Sequence, residues 1–190
     1  MKTLDIIHSE HQALAAVLQA LRFVVDEIRS GKRQPDFRLL AAMVDYITKV
    51  PDKVHHPKED NYLFPKLRDR SASAAELIAV LEAQHAEGYR MTAALQAALI
   101  HYQSIGEKGF AAFDTLVQQY LDFNWKHLNR EETELLPLAR TALSAGDWKE
   151  VDAAFSANFD PYAGAEGEFA ELFHRIVNMT PAPYGLGAAD

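Results

Sequence analysis

The chain has 190 residues, 48% hydrophobic, 24% charged and 10% aromatic, enough for one globular domain with a substantial core. Its 27 acidic against 19 basic residues give a net charge of −8, a poor match to a phosphate backbone, so no nucleic-acid partner is expected. The absence of cysteine excludes disulfides, thiolate zinc sites and iron–sulfur clusters, and no run reaches the about 18–20 apolar residues of a membrane helix.

The N-terminal Met1-Lys2-Thr3-Leu4-Asp5 lacks the charged-then-apolar pattern of a signal peptide, so the expected location is the cytoplasm, with no membrane partner. From Leu4, the series Ile7, His11, Leu14, Leu18, Leu21, Val25, Ile28 steps by three and four and predicts a first helix, stopped at Ser30-Gly31. A second helix should begin near Pro35-Asp36, run through Leu40, Val44 and Ile47, kink or break at Pro51 and Pro57, and reach about Arg70. The run Lys66-Leu67-Arg68-Asp69-Arg70 reads as its solvated end. Ser73-Ala74-Ala75-Glu76 fits a capping box opening a third helix to about Tyr102. After a loop at Gly106 to Gly109, a fourth helix carries Phe113, Leu116, Tyr120, Phe123, His127, Glu131 and Leu135 to about Ser144-Ala145-Gly146. Short helices near Trp148–Phe155 and Glu166–Val177 follow, and the Pro- and Gly-rich tail from 179 to 190 should be irregular. The expected fold is all-α: an antiparallel up-down-up-down four-helix bundle over about 3–145, two additional C-terminal helices over 147–178, and a single domain over 1–178.

The chain repeats itself. His55-His56-Pro57-Lys58-Glu59-Asp60-Asn61-Tyr62-Leu63-Phe64-Pro65 and His127-Leu128-Asn129-Arg130-Glu131-Glu132-Thr133-Glu134-Leu135-Leu136-Pro137 both read H-x-x-x-E-[DE]-x-x-L-x-P, 72 residues apart. His11 and His85, 74 apart, sit on the apolar stripes of the preceding helices. Residues four apart share one helix face, so His55 with Glu59, and His127 with Glu131, project into one volume. If the four stripes face each other, four imidazoles and two carboxylates converge inside the bundle. Burying such a cluster is costly unless cations compensate it. Nitrogen and carboxylate donors without sulfur suit iron, and also manganese or zinc.

The pieces Glu10-His11, His55…Glu59…Leu63-Phe64-Pro65, Gln84-His85 and His127…Glu131-Glu132…Leu135-Leu136-Pro137 resemble the hemerythrin-like, or HHE cation-binding, family over about residues 3–142. The resemblance implies two non-haem iron ions, bridged by oxide and carboxylate, with His11, His55, Glu59, His85, His127 and Glu131 as ligands. The oxygen-carrying hemerythrins have a second His one turn after the third-helix ligand, where this chain has Tyr89, and end their site on an Asp five residues after its His, where Glu131 follows at four. Tyr89 is a candidate for a phenolate ligand, an outer hydrogen-bond donor or a packing residue. His8 is a candidate outer or alternative ligand, and Glu10, Asp60 and Glu132 are candidates for orienting imidazoles. His56, projecting about 100° from His55, should be exposed or hydrogen-bonded to a carboxylate. His101 and His174 read as structural, and Tyr62, Phe64, Tyr120 and Phe123 as core packing.

A ferritin-like di-iron protein is disfavoured, because both strong pairs run His before Glu rather than as Glu-x-x-His. The resemblance implies dioxygen, nitric oxide or peroxide as the small ligand. It leaves three roles: binding or sensing such a ligand or handling iron, turnover of peroxide or nitric oxide, and iron donation to damaged iron–sulfur clusters. Lack of Cys lowers the last. A binding protein is expected over an enzyme, and the oligomeric state is open.

Overall fold

The computed structural model describes residues 1–157 and 168–188. Among these the secondary structure is helical, apart from one isolated bridge between Pro181 and Gly187. Helix α1 spans Lys2–Arg29, and Ile7, His11, Leu14, Leu18, Leu21 and Val25 of its stripe are buried. Gly31 turns the chain away with a φ of 70°, a conformation open to glycine at little cost. Helix α2, Phe37–Val50, is capped by the Asp36 carboxylate, which accepts from the N–H groups of Arg38 (2.9 Å) and Leu39 (3.3 Å).

The expected kink takes a specific form. Instead of breaking, the second helical rod widens into a π turn at Pro51–His55, passes through α3 (His56–Lys58), widens again at Glu59–Leu63 and closes as α4 (Phe64–Arg70). The fourth rod does the same: α6 (Phe110–Arg130), a π turn at Glu131–Leu135, then α7 (Leu136–Ala142). Each π turn ends two residues before a proline (Pro57, Pro65, Pro137), and the residue just before that proline donates its N–H five residues back: His56 to Pro51, Phe64 to Glu59, Leu136 to Glu131. A proline ring collides with the carbonyl four residues back and offers no N–H to it, and one extra residue in the turn relieves the collision. The shared L-x-P of the repeat is therefore a π-turn signature, and both ligand-like glutamates open one.

Helix α5 spans Ala74–Ile105, but the expected capping box does not form: Ser73 has helical backbone angles, makes no cap bond, and its hydroxyl meets that of Ser71 at 2.8 Å. Reciprocal capping occurs instead at α8 (Ala145–Ala157), where the Ser144 N–H donates to Asp147 (3.0 Å) and the Asp147 N–H donates to Ser144 Oγ (3.2 Å). Gly106–Gly109 forms a 3-10 turn, and a Cβ at 109 would lie 2.6 Å from the Tyr102 Cα, so the close approach requires glycine there. The basic end of α4 is exposed at Arg68, Asp69 and Arg70, as expected, and also makes ion pairs: Arg70 makes a two-bond pair with Asp147, both at 2.8 Å, and Arg68 binds Glu82 at 2.9 Å. Helix α9 spans Glu168–Met179; positions 166 and 167 of the expected helix, and 189 and 190 of the tail, lie outside the described residues. The described tail folds back, with the Leu186 N–H donating to Val177 O (2.8 Å) and the Tyr184 ring 5.2 Å from that of Phe23.

The long rods contact one another in a closed ring, α1 with α2, α2 with α5, α5 with α6 and α6 with α1, while α8 lies on α1 and α9 on α2. Two apolar clusters fill the interior. One takes Leu14–Val25 of α1, Leu39–Val50, Leu95–Tyr102 and Phe113–Leu128; the other takes Ile7, Leu63–Leu67, Ala74–Leu81 and Leu135–Leu143, closed by Trp148, Val151 and Phe155 of α8. Each fully buried Leu or Ile contributes about 1.5–3 kcal/mol by leaving water. Between the clusters lies a layer of buried polar side chains.

Candidate metal centre

Every rod contributes to that polar layer. His11 comes from α1; His55, His56 and Glu59 from the second rod; His85 from α5; His127 and Glu131 from the fourth. All are buried, Glu59 and Glu131 completely. The donor atoms fall into two groups, His11, His55, Glu59 and Glu131 in one and His56, His85 and His127 in the other, with donors in each group within 4.8 Å of one another. His11 Nε2 lies 3.1 Å from His55 Nε2 and 3.1 Å from Glu131 Oε2; His55 Nε2 lies 3.4 Å from Glu59 Oε2. Across the layer, Glu131 Oε1 is 3.2 Å from His127 Nε2 and 3.7 Å from His85 Nε2, and Glu59 Oε2 is 3.6 Å from His85 Nε2. The two glutamates thus stand between the groups.

The outer nitrogens are held in a cyclic pattern. Glu10 of α1 meets His55 Nδ1 (2.7 Å); Asp60 of the second rod meets His85 Nδ1 (2.8 Å); Gln84 of α5 meets His127 Nδ1 (3.1 Å); Glu132 of the fourth rod meets His11 Nδ1 (2.7 Å). Each holder adjoins a cluster residue on its own rod and reaches to the next rod around the ring. The 72–74 offset of the sequence repeat recurs here, Glu10 matching Gln84 and Asp60 matching Glu132. These bonds put the Nδ1 protons outward and aim Nε2 inward, the arrangement that prepares imidazoles for metals.

Both oxygens of Glu59, both of Glu131, and the Nε2 atoms of His85 and His127 are buried with no hydrogen-bond partner. Buried polar atoms are generally satisfied, so this concentration of orphans needs a compensating charge, and the donor chemistry fits a cation. Without metal, protons take part of its place. Burial works to discharge His11, but Glu131 and Glu132 outweigh it and hold its pKa up at about 10; burial likewise opposes a charge on His85, and Asp60 and Glu131 raise it to about 10. His127, with a neutral amide as holder, is pushed by burial down to about 4. Burial, reinforced by Glu131, drives Glu59 well above the carboxylate range, whereas for Glu131 the same burial is overcome by His127, His11 and His85, which hold it well below.

The six ligand-like residues of the repeat are therefore brought together, and Glu10, Asp60 and Glu132 each touch an imidazole as expected. His56 corrects its expectation. It is buried against the cluster, stacked on His85 (ring centroids 4.0 Å apart, planes 14° apart), and its Nδ1 has no hydrogen bond, Asp52 Oδ1 lying 3.5 Å away. On an ideal helix the 100° step from His55 turns His56 outward; the π turns flanking α3 alter that register, which only the proline spacing signals. Tyr89 is 48% exposed and its hydroxyl donates to the Asp52 carbonyl at 2.6 Å, away from the cluster. His8 is exposed and touches Glu132 at 3.4 Å. His101 and His174 are exposed. Phe64 and Tyr120 are buried, Phe123 is half-buried over His127 (6.4 Å), and Tyr62, expected in the core, is 44% exposed. Sequence reasoning missed Lys58. It is 1% exposed, paired with Glu10 behind His55, and 5.6 Å over the Phe155 ring of α8.

A helical fold that converges imidazoles and carboxylates from four rods on a buried layer defines a cation-binding helical domain. The Hemerythrin HHE cation binding domain family model matches residues 2–139, and the chain belongs to that family. No curated protein matches the chain at a significant level. Among the described residues no helix is long and apolar enough to cross a membrane.

Proposed function

We propose that the chain is a non-haem di-iron protein, with His11, His55, Glu59, His85, His127 and Glu131 as ligands and Glu59 and Glu131 shared between two ions. The carrying observation is the pair of fully buried glutamates, all four of whose oxygens lack hydrogen bonds, set between two groups of imidazoles. Nitrogen and carboxylate donors suit iron, with manganese or zinc as the other occupants. The proposed frame is an antiparallel up-down-up-down four-helix bundle. Its support is the order in which the rods visit the two apolar clusters: α1 meets the Ile7 cluster first, the second rod meets it last, α5 first and the fourth rod last. The proposed role is cytoplasmic binding or sensing of dioxygen or nitric oxide, or the handling of iron. Two irons held by these six residues would supply a redox-active site able to bind a diatomic ligand.

A second reading, turnover of peroxide or nitric oxide, is favoured by one feature. Exposed His8, Glu132 and buried His11 form a chain of contacts of 3.4 and 2.7 Å, at a surface cleft of about 420 Å³ that Glu132 and His8 line. That chain can pass protons between solvent and the cluster.

The test is metal content. Iron-reconstituted protein should hold about two irons per chain with a visible charge-transfer band. His127→Ala and His55→Ala should lose much of both, and His101→Ala neither. A folded wild-type chain that takes up neither iron, manganese nor zinc sinks the reading, as does loss of iron in His101→Ala but not in His127→Ala.

A further inference from the structure

We infer that His56 is a fifth imidazole ligand, joining His85 and His127 on one ion while His11 and His55 serve the other, so that the two metal positions are unequal in nitrogen donors. The inference rests on the two-ion reading of the cluster.

The ring of His56 lies inside the polar layer, stacked 4.0 Å from His85 and edge-on to His127 at 5.5 Å. Its donor atom belongs with theirs in a group within 4.8 Å, separate from the His11, His55, Glu59 and Glu131 group. The structural alternative is a core imidazole satisfied by its neighbours. His56 does not meet that description, since its Nδ1 is buried and unbonded and the nearest acid, Asp52, stands at 3.5 Å, beyond a normal hydrogen bond. An apolar side chain was available: the repeat places Leu128 at the matching position beside His127, and that leucine packs into an apolar cluster. A polar ring kept where its counterpart is aliphatic, and crowded against two further imidazoles whose inner nitrogens are also orphaned, is compensated by a shared cation.

The surroundings fix the turn that carries the ring. Asp52 lies one turn before His56, buried, and α5 pins it twice: the Tyr89 hydroxyl donates to its carbonyl (2.6 Å), and Thr92 Oγ1 reaches its carboxylate (3.4 Å). The π turn that brings Asp52, His55 and His56 inward together closes through the bond from the His56 N–H to the Pro51 carbonyl. Asp52 is thus fixed one turn before His56, but at 3.5 Å it does not hold the ring as Glu10, Asp60 and Glu132 hold theirs, which leaves the His56 nitrogen without a partner in the protein.

The experiment is zinc titration by calorimetry, with iron loading followed by Mössbauer spectroscopy, on wild type, His56→Leu and His55→Leu. His56→Leu copies the residue of the repeat and should melt, metal-free, no lower than the wild type. It should retain one ion at wild-type affinity and bind the other at least about tenfold more weakly, changing one of two iron signals. His55→Leu should weaken the other ion. Independently of any variant, the His56 ring nitrogen in zinc-loaded wild type should show the ¹⁵N shift of a coordinated imidazole. Two ions bound by His56→Leu at wild-type affinities, or a His56 ring whose ¹⁵N shifts ignore zinc, overturns the inference and leaves the two-ion reading standing. Failure of the wild type to take two ions removes both.

Discussion

Glu59 and Glu131 occupy equivalent places in the repeat, yet their surroundings divide their roles in the metal-free chain. Burial and the neighbouring Glu131 keep Glu59 protonated, while the cationic His11 and His85 keep Glu131 ionised against the same burial. Gln is isosteric with a protonated Glu, so Glu59→Gln should leave metal-free stability within about 1 kcal/mol of wild type. Glu131→Gln removes the anion of a buried charge cluster and should cost about 3 kcal/mol. Both variants should lose metal. Urea unfolding of chelated protein separates the two, and equal destabilisation by both would refute this division of charge.

At the scale of the element, three prolines shape the rods that carry most of the ligands. A π turn holds one residue more than the α turn it replaces, so deleting one residue from Glu59–Leu63 should return the segment to α geometry. Pro65 would then press on the carbonyl four residues back, and Leu63, Phe64 and Leu67, all fully buried, would rotate by about 100° relative to Glu59. Deletion of Tyr62 should therefore lower stability by about 3 kcal/mol or more and abolish metal uptake. Tyr62→Ala, at a side chain 44% exposed, should change stability by about 0.5 kcal/mol at most. Calorimetric melting and metal analysis of the two variants side by side check this, and a deletion variant as stable as the substitution would show that the wide turn is not required.

At the scale of the molecule, all four rods contribute imidazole or carboxylate donors to the cluster, which lies between two apolar clusters that each draw on the same rods. Ions bound there hold the native chain and have no comparable site in the unfolded one, so they stabilise by mass action, about 4 kcal/mol at a free concentration a thousandfold above Kd. For a chain of this size that corresponds to a rise of roughly 8–15 °C in Tm. Differential scanning calorimetry of loaded and chelated protein should show that gap. Coincident melts would remove the metal from the place assigned to it.

The sequence by itself determined the helices, their order and the six residues of the repeated His/Glu pattern, because three-and-four periodicity and i, i+4 spacing are local properties that any helix converts into a face. It also marked Glu10, Asp60 and Glu132, which adjoin that pattern. Only the tertiary structure decided which imidazole each of them holds, since every holder reaches across to the next rod. It decided the capping box as well: Ser73-Ala74-Ala75-Glu76 has the pattern but its serine sits in helical angles, whereas Ser144 and Asp147 take the bonds beside the Arg70 pair. The burial of Lys58 and His56 was out of reach of a helical wheel. Lys58 enters the interior because Glu10 from α1 and the Phe155 ring from α8 meet it there, and His56 enters because proline-bound π turns alter the register of the rod around it. Periodicity specifies which residues share a face of a regular helix; where the helix departs from regularity, and which distant groups neutralise what it buries, is set by packing.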